Sequence, residues 1–300
     1  MTQFAIIVPA IGDQQVVDDT LVSVLENCDG RARVLVPCDA DYEDRYDLSD
    51  EVDFHRCDLA RELGNAWKQR PFLAWTSLAN EALYATQDAY VALILPGVSM
   101  LPGSMDTVVE VFDSKPETAS LSPVLLPADL DDSDATVAVA IPSGTRVAVS
   151  QSQLDQFGSN MIGASMMSGF FRTSALLDVG GWNTAIHPLV ADVDLNMRLT
   201  EAGYEIHQTP FSRMMINSVP DLDFDRYRLA RDSQIIYRQN QRSRGYSAAL
   251  RPTRVIREML SNIGSGSIAT MAGRIAGAYG SLPSPARTSR QDHSTLKRAA

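Results

Sequence analysis

An α/β fold, with a mostly parallel central sheet between flanking helices and a helical C-terminal extension, is what three observations in this 300-residue sequence predict. The apolar runs FAIIV, RVLV and YVALIL have the length and β-branched content of buried strands. The segments between them, QQVVDDTLVSVLEN and RPFLAWTSLANEALYA, repeat their apolar residues at helical spacing. Strand and helix thus alternate through about residue 125, the signature of βαβ units with right-handed crossovers. At 45% apolar content, a chain of this length is globular and buries roughly 75% of its unfolded surface.

In chain order, the first strand is FAIIV, the second RVLV and a later one YVALIL, each followed by a loop on one sheet edge. From TVAVAIPSGTRVAVS the pattern changes to a hairpin around Pro142-Ser143-Gly144. Ser174 to Val179 and Asp192 to Ala202 read as helices closed by Gly180-Gly181 and Gly203. Asp225 to Gln241 is a longer amphipathic helix, and Pro252 to Ile263 and Ile268 to Ala278 read as two more. The division expected is an α/β domain over 1–245, a helical extension over 246–280 and a tail over 281–300 too poor in apolar residues to pack.

Charge is uneven. The net charge is −11, but from Arg226 onward fourteen Lys and Arg face three Asp and Glu, a net of +11, which leaves −22 on residues 1–225. A basic C-terminal region can make weak peripheral contact with an anionic membrane, or it can answer the acidic half of its own chain. No nucleic-acid partner is expected. The three cysteines, Cys28, Cys38 and Cys57, are odd in number and lack C-x-x-C spacing, so no disulfide framework or zinc site is indicated. No apolar run approaches the roughly 18 residues of a membrane span, and FAIIVPAIG lacks the basic leader of a signal peptide. These features fit a cytoplasmic protein, at most peripheral to the inner face of a membrane.

The order of motifs then becomes informative. AIIVPAIGD, the acidic loop CDAD, a strand running into PGVSMLPGSM, then SGFFRTSALLDVGGWN and ADVDLNMRLTEAGYEI, together resemble the family 2 glycosyltransferases of the A-type nucleotide-sugar fold, over roughly residues 4–217. The resemblance implies a nucleoside-diphosphate sugar as donor and a carbohydrate or other hydroxyl compound as acceptor. It implies that Pro9 and Asp39 lie where the nucleotide is received, Asp39 toward the base. The family's metal-binding Asp-x-Asp falls on Pro96-Gly97-Val98, the Arg-Asn pair of the preceding helix on Ala79-Asn80, and the histidine that completes the metal site near Asn217. A divalent cation on a diphosphate needs hard oxygen ligands, so no metal cofactor is expected at the donor site formed by Pro9, Asp39, Pro96, Gly97 and Val98. The leaving diphosphate would instead need arginine or lysine side chains or a helix N-terminus, with Lys68, Arg70, Arg228 and Arg231 as candidate side chains.

In the family the second acid of a pair deprotonates the acceptor hydroxyl, and that acid corresponds to Asp192; the first is replaced by Ala191. Spacing alone reads Asp192 and Asp194 as helix caps, worth about 1 kcal/mol each. With the motif context Asp192 is the catalytic candidate and Asp194 a structural one. Gly181 and Trp182 either place an aromatic face under an acceptor sugar or form a helix stop followed by a core tryptophan. The acidic runs Asp39-Ala40-Asp41, DLDDSD at 129–134 and DLDFD at 221–225 read as turns and caps rather than cation loops. Two functions stay open: a metal-independent, inverting glycosyltransferase with Asp192 as base, and a non-catalytic relative that keeps the fold as a carbohydrate- or nucleotide-binding or scaffolding module.

Overall fold

The computed structural model describes residues 4–28, 30, 32–58, 70–128, 135–157, 161–219, 225–243 and 268–283, to which every structural statement refers. The first strand, β1 (Phe4–Ile7), is buried along its whole length, because helices cover both faces of the sheet around it. It pairs in parallel with β2 (Ala32–Asp39) on one side and β4 (Tyr90–Ile94) on the other, and β3 (Val52–Cys57) adds in parallel to β2. Between β1 and β2 runs α1 (Gln14–Asn27), started by Asp13, whose carboxylate accepts from the Gln15 amide at 2.8 Å. It buries Val17, Leu21 and Val24, the stripe expected of a helix on a sheet. The second amphipathic segment begins as a short 3-10 turn at Pro71 and continues as α2 (Trp75–Ala85).

The order across the sheet is β3-β2-β1-β4-β10-β6-β11-β5. β10 (Ser168–Arg172) inserts antiparallel between β4 and β6 (Thr118–Pro127), and β11 (Glu205–Ile216) runs parallel to β6. β5 (Val98–Met100) closes that edge antiparallel to β11. Six of these eight strands therefore point one way, and the sheet is mostly parallel and antiparallel in part. Short helices α3 (Val108–Ser114), α4 (Leu154–Phe157) and α5 (Thr173–Asp178) connect strands, and α6 (Ala191–Glu201) precedes β11.

The expected hairpin is β7 (Thr136–Ala140) with β8 (Val147–Ser150), in the register Ala140↔Val147 around a turn at Pro142–Gly144; β9 (Met161–Gly163) adds to β7. Its turn is pinned from below. A Cβ on Gly144 would lie 2.5 Å from Gln234 Oε1, on α7 (Arg226–Ser243), and Arg274 Nη2, on α8 (Ile268–Tyr279), donates to Thr145 Oγ1 at 2.9 Å. α8 lies directly on α7. Cβ atoms at Gly273 and Gly277 would come within 2.2 and 2.4 Å of the Tyr227 and Arg231 carbonyls, so only glycine permits this approach. The expected helix over 252–263, the tail beyond 283, Lys68 and the DLDDSD run lie outside the described residues. Of the second acidic run, Asp225 caps α7, accepting from the Tyr227 and Arg228 amides.

Candidate active site

Because β1, β2 and β4 are parallel and adjacent, the residues that follow them gather on one edge of the sheet, where open α/β folds bind ligands. The Ala10 amide donates to Pro37 O at 2.9 Å, which lays the buried Pro9 against the end of β2. Asp39 ends β2 with a partly exposed carboxylate, and its carbonyl accepts from Tyr42 N in a tight turn. Cys38 beside it is buried, and burial pushes its thiol up to about 11. It is an inert core residue.

At the end of β4, Pro96, Gly97 and Val98 are all buried. Gly97 holds φ +93°, its amide donates to Thr20 Oγ1 at 3.0 Å, and its carbonyl accepts from Asn217 N at 2.8 Å and Ser218 N at 3.2 Å. A Cβ on Gly97 would meet Ser218 O at 2.4 Å, so no larger residue could stand there without displacing that segment. Val98 opens β5 and is 0% exposed. The sequence alignment of Asn217 with this strand end corresponds to real proximity: its side-chain amide donates to Ser99 Oγ at 2.6 Å. These residues offer backbone carbonyls, a hydroxyl and amides but no carboxylate or imidazole. They do not fit a divalent ion, and among the described residues no cluster of His, Cys, Asp and Glu could hold one.

Asp192 sits in the first turn of α6, 2% exposed, and accepts more than a cap does. Its Oδ1 takes the Val193 amide at 2.8 Å and Arg146 Nε at 3.1 Å. Its Oδ2 takes the Met166 amide at 2.8 Å, Arg146 Nε at 3.0 Å and Arg146 Nη2 at 2.6 Å. The next residue, Met167, accepts the Leu95 amide at 2.9 Å through its carbonyl. The carboxylate is thus tied, through one short stretch of backbone, to the end of β4. Arg146 comes from the hairpin, 46 residues away in sequence, and no spacing pattern points to it.

Trp182 takes the second of its two sequence readings. Its indole is 2% exposed and packs edge-on against Trp75 and Phe171, so it is a core side chain and offers no face to a sugar. Asn80 clamps its backbone, with Nδ2 on Trp182 O at 2.7 Å and Trp182 N on Oδ1 at 2.8 Å. Gly181, at φ +67°, is required because a Cβ would lie 2.4 Å from that Oδ1. Asp194 is structural: it pairs with Arg198 at 2.8 Å, and Arg198 donates to the Val179 and Gly181 carbonyls. Burial raises the Asp194 carboxyl, opposed by that arginine.

Two of the other expected cations are occupied elsewhere. Arg228 donates to Ala185 O and Ile186 O, and Arg231 pairs with the buried Asp232 at 2.7 Å. Arg70 precedes the turn that leads into α2.

No family model matches the chain, and no curated protein matches it in sequence. Its structure is similar to that of the mannosyltransferase PcManGT from Pyrobaculum calidifontis in complex with GDP-Man and Mn²⁺, with a TM-score of 0.56 and 14% identity over 92% of this chain and 79% of that one. It also matches S. aureus TarS 1–349, at a TM-score of 0.48 and 12% identity over 78% of this chain and 65% of that one. The likeness to PcManGT shows that the chain has a glycosyltransferase fold.

Proposed function

We propose that this protein transfers a glycosyl group from a nucleoside-diphosphate sugar to a hydroxyl acceptor, with inversion and without a resident metal. The observation that carries this reading is the position of Asp192. Its carboxylate is anchored one residue from the backbone that bonds Leu95, beside the strand end where the fold receives its donor. In the step, Asp192 takes the acceptor O–H proton as the hydroxyl oxygen bonds the anomeric carbon; the bond from that carbon to phosphate oxygen breaks, and the diphosphate leaves with the electron pair. Pro9 and the partly exposed Asp39 are the nucleotide contacts, Asp39 toward the base. The donor set at Pro96-Gly97-Val98 supports a metal-free mechanism, in which protein cations carry the leaving-group charge.

The non-catalytic reading is favoured by one observation, that all of the carboxylate's hydrogen-bonding directions on Asp192 are filled. Release of nucleoside diphosphate from a panel of UDP-, GDP-, ADP- and dTDP-sugars, measured with added acceptor and with EDTA, separates the two. Turnover that survives EDTA and falls about 10²-fold in Asp192→Asn, without weaker nucleotide binding, supports the transferase. Binding without turnover in the wild type supports the module. For location, we propose a cytoplasmic protein whose basic C-terminal region, with the exposed Met271, Ile275 and Tyr279 of α8, makes weak contact with anionic membrane surfaces.

A further inference from the structure

We infer that Arg146 is the diphosphate-binding cation of this site and, at the same time, a latch on its base. With no donor bound, the guanidinium occupies Asp192; a nucleoside diphosphate draws it away and leaves the carboxylate open to the acceptor. The inference rests on the transferase reading above.

Four features of the geometry carry it. The first is how Arg146 is held. Arg172 donates to the Phe112 and Thr118 carbonyls, and Arg198 and Arg228, besides pairing with Asp194 and Asp232, are fixed by the carbonyls of Val179 and Gly181 and of Ala185 and Ile186. Arg146 bonds side chains instead: Asp192, and Ser165 Oγ at 3.4 Å. A guanidinium fixed by another side chain's charge can exchange that anion for a stronger one, and a diphosphate offers more charge in the same bidentate geometry.

The second feature is the asymmetry of the pair. The Arg146 side chain is 16% exposed and Asp192 only 3%, so the arginine is the partner that can move. Third, the pair lies within reach of the donor edge. Ser165 Oγ accepts from both Arg146 and the Met167 amide, and Met167 is bonded to Leu95.

The fourth feature is what remains when Arg146 leaves. The Val193 and Met166 amides still hold one oxygen each, so the carboxylate keeps its place and its ionised form keeps two donors. The directions vacated by the guanidinium are those through which a hydroxyl proton would arrive. The same displacement therefore supplies a cation to the leaving group and frees the base, and it imposes donor-first binding.

The test is calorimetric titration of the full chain, in EDTA, with UDP, GDP, ADP, CDP and dTDP and with the corresponding nucleosides. It uses the wild type, Arg146→Gln, Asp192→Asn and the double variant Arg146→Gln/Asp192→Asn, each checked for folding by circular dichroism. For the diphosphate that binds wild type best, Arg146→Gln should weaken binding about 10-fold or more while leaving its nucleoside unchanged. Asp192→Asn, which releases the arginine, should tighten the diphosphate severalfold. The double variant, which leaves no uncompensated buried charge, should bind it as weakly as Arg146→Gln. Equal diphosphate affinity in wild type and the double variant, or weaker binding in Asp192→Asn, overturns the latch alone. If no diphosphate binds either wild type or Asp192→Asn, the latch and the transferase reading fall together.

Discussion

His187 caps the turn ahead of α6 with a ring that is 1% exposed, accepting the Leu189 amide on Nδ1 while its own amide donates to Asp232. Burial lowers its pKa to about 4; Arg228 and Arg70 add to the fall and Asp225 opposes it. Above pH 6.5 the ring is neutral both folded and unfolded. Below that, the unfolded chain binds a proton that the folded chain refuses until about pH 4, so stability falls as pH drops across this window. Between pH 7.5 and 5 the loss attributable to this ring is about 2 kcal/mol. Denaturant unfolding at the two pH values should show that difference shrink in His187→Asn, which keeps a cap acceptor; an unchanged difference would remove His187 as its source. Little of this residue-scale chemistry is legible in the sequence. Asp192 can be picked out because it stands in a motif, but its partner comes from a hairpin 46 residues away, and the choice between platform and core for Trp182 depends on Trp75 and Phe171, which no local pattern brings together.

At the scale of elements, periodicity reads what is local. Apolar spacing locates α1 and, to within a residue or two, α6 and α7, because apolar residues recur at helical spacing in each. It does not reveal β10, whose five residues include a glycine and which is a strand only because β4 and β6 flank it. Nor does it reveal the α7 and α8 contact, which depends on glycines four apart meeting the carbonyls of Tyr227 and Arg231. Gly273→Leu should therefore force the helices apart and cost about 1–3 kcal/mol or more. Met271→Gln, on the exposed face of the same helix, should stay within about 0.5 kcal/mol. Thermal melts of the two variants check this, and equal midpoints would mean that the close approach contributes little.

Considered whole, the molecule ties its C-terminal helix to its hairpin. The basic C-terminal region contributes α8, which covers α7 and reaches the hairpin through Arg274. Removing residues 246–300 should accordingly destabilise the remainder and raise hydrogen exchange in 136–150 and 226–243; unchanged protection there would show the extension to be an independent appendage. The membrane proposal is tested on the full chain. Retention by phosphatidylserine vesicles at low ionic strength, released by salt, is the expected result, at roughly 1 kcal/mol per basic residue near the surface.

The pinned hairpin turn also has a meaning in time. Arg146 reaches its place on a turn held by Gln234 and by Arg274, the latter bonded to a residue 129 positions earlier in the chain. During synthesis at 5–20 residues per second, roughly 6 to 26 s separate the emergence of the arginine from that of the helix that steadies it. A nascent chain thus carries its carboxylate and its guanidinium before the helix that braces the hairpin turn has been made.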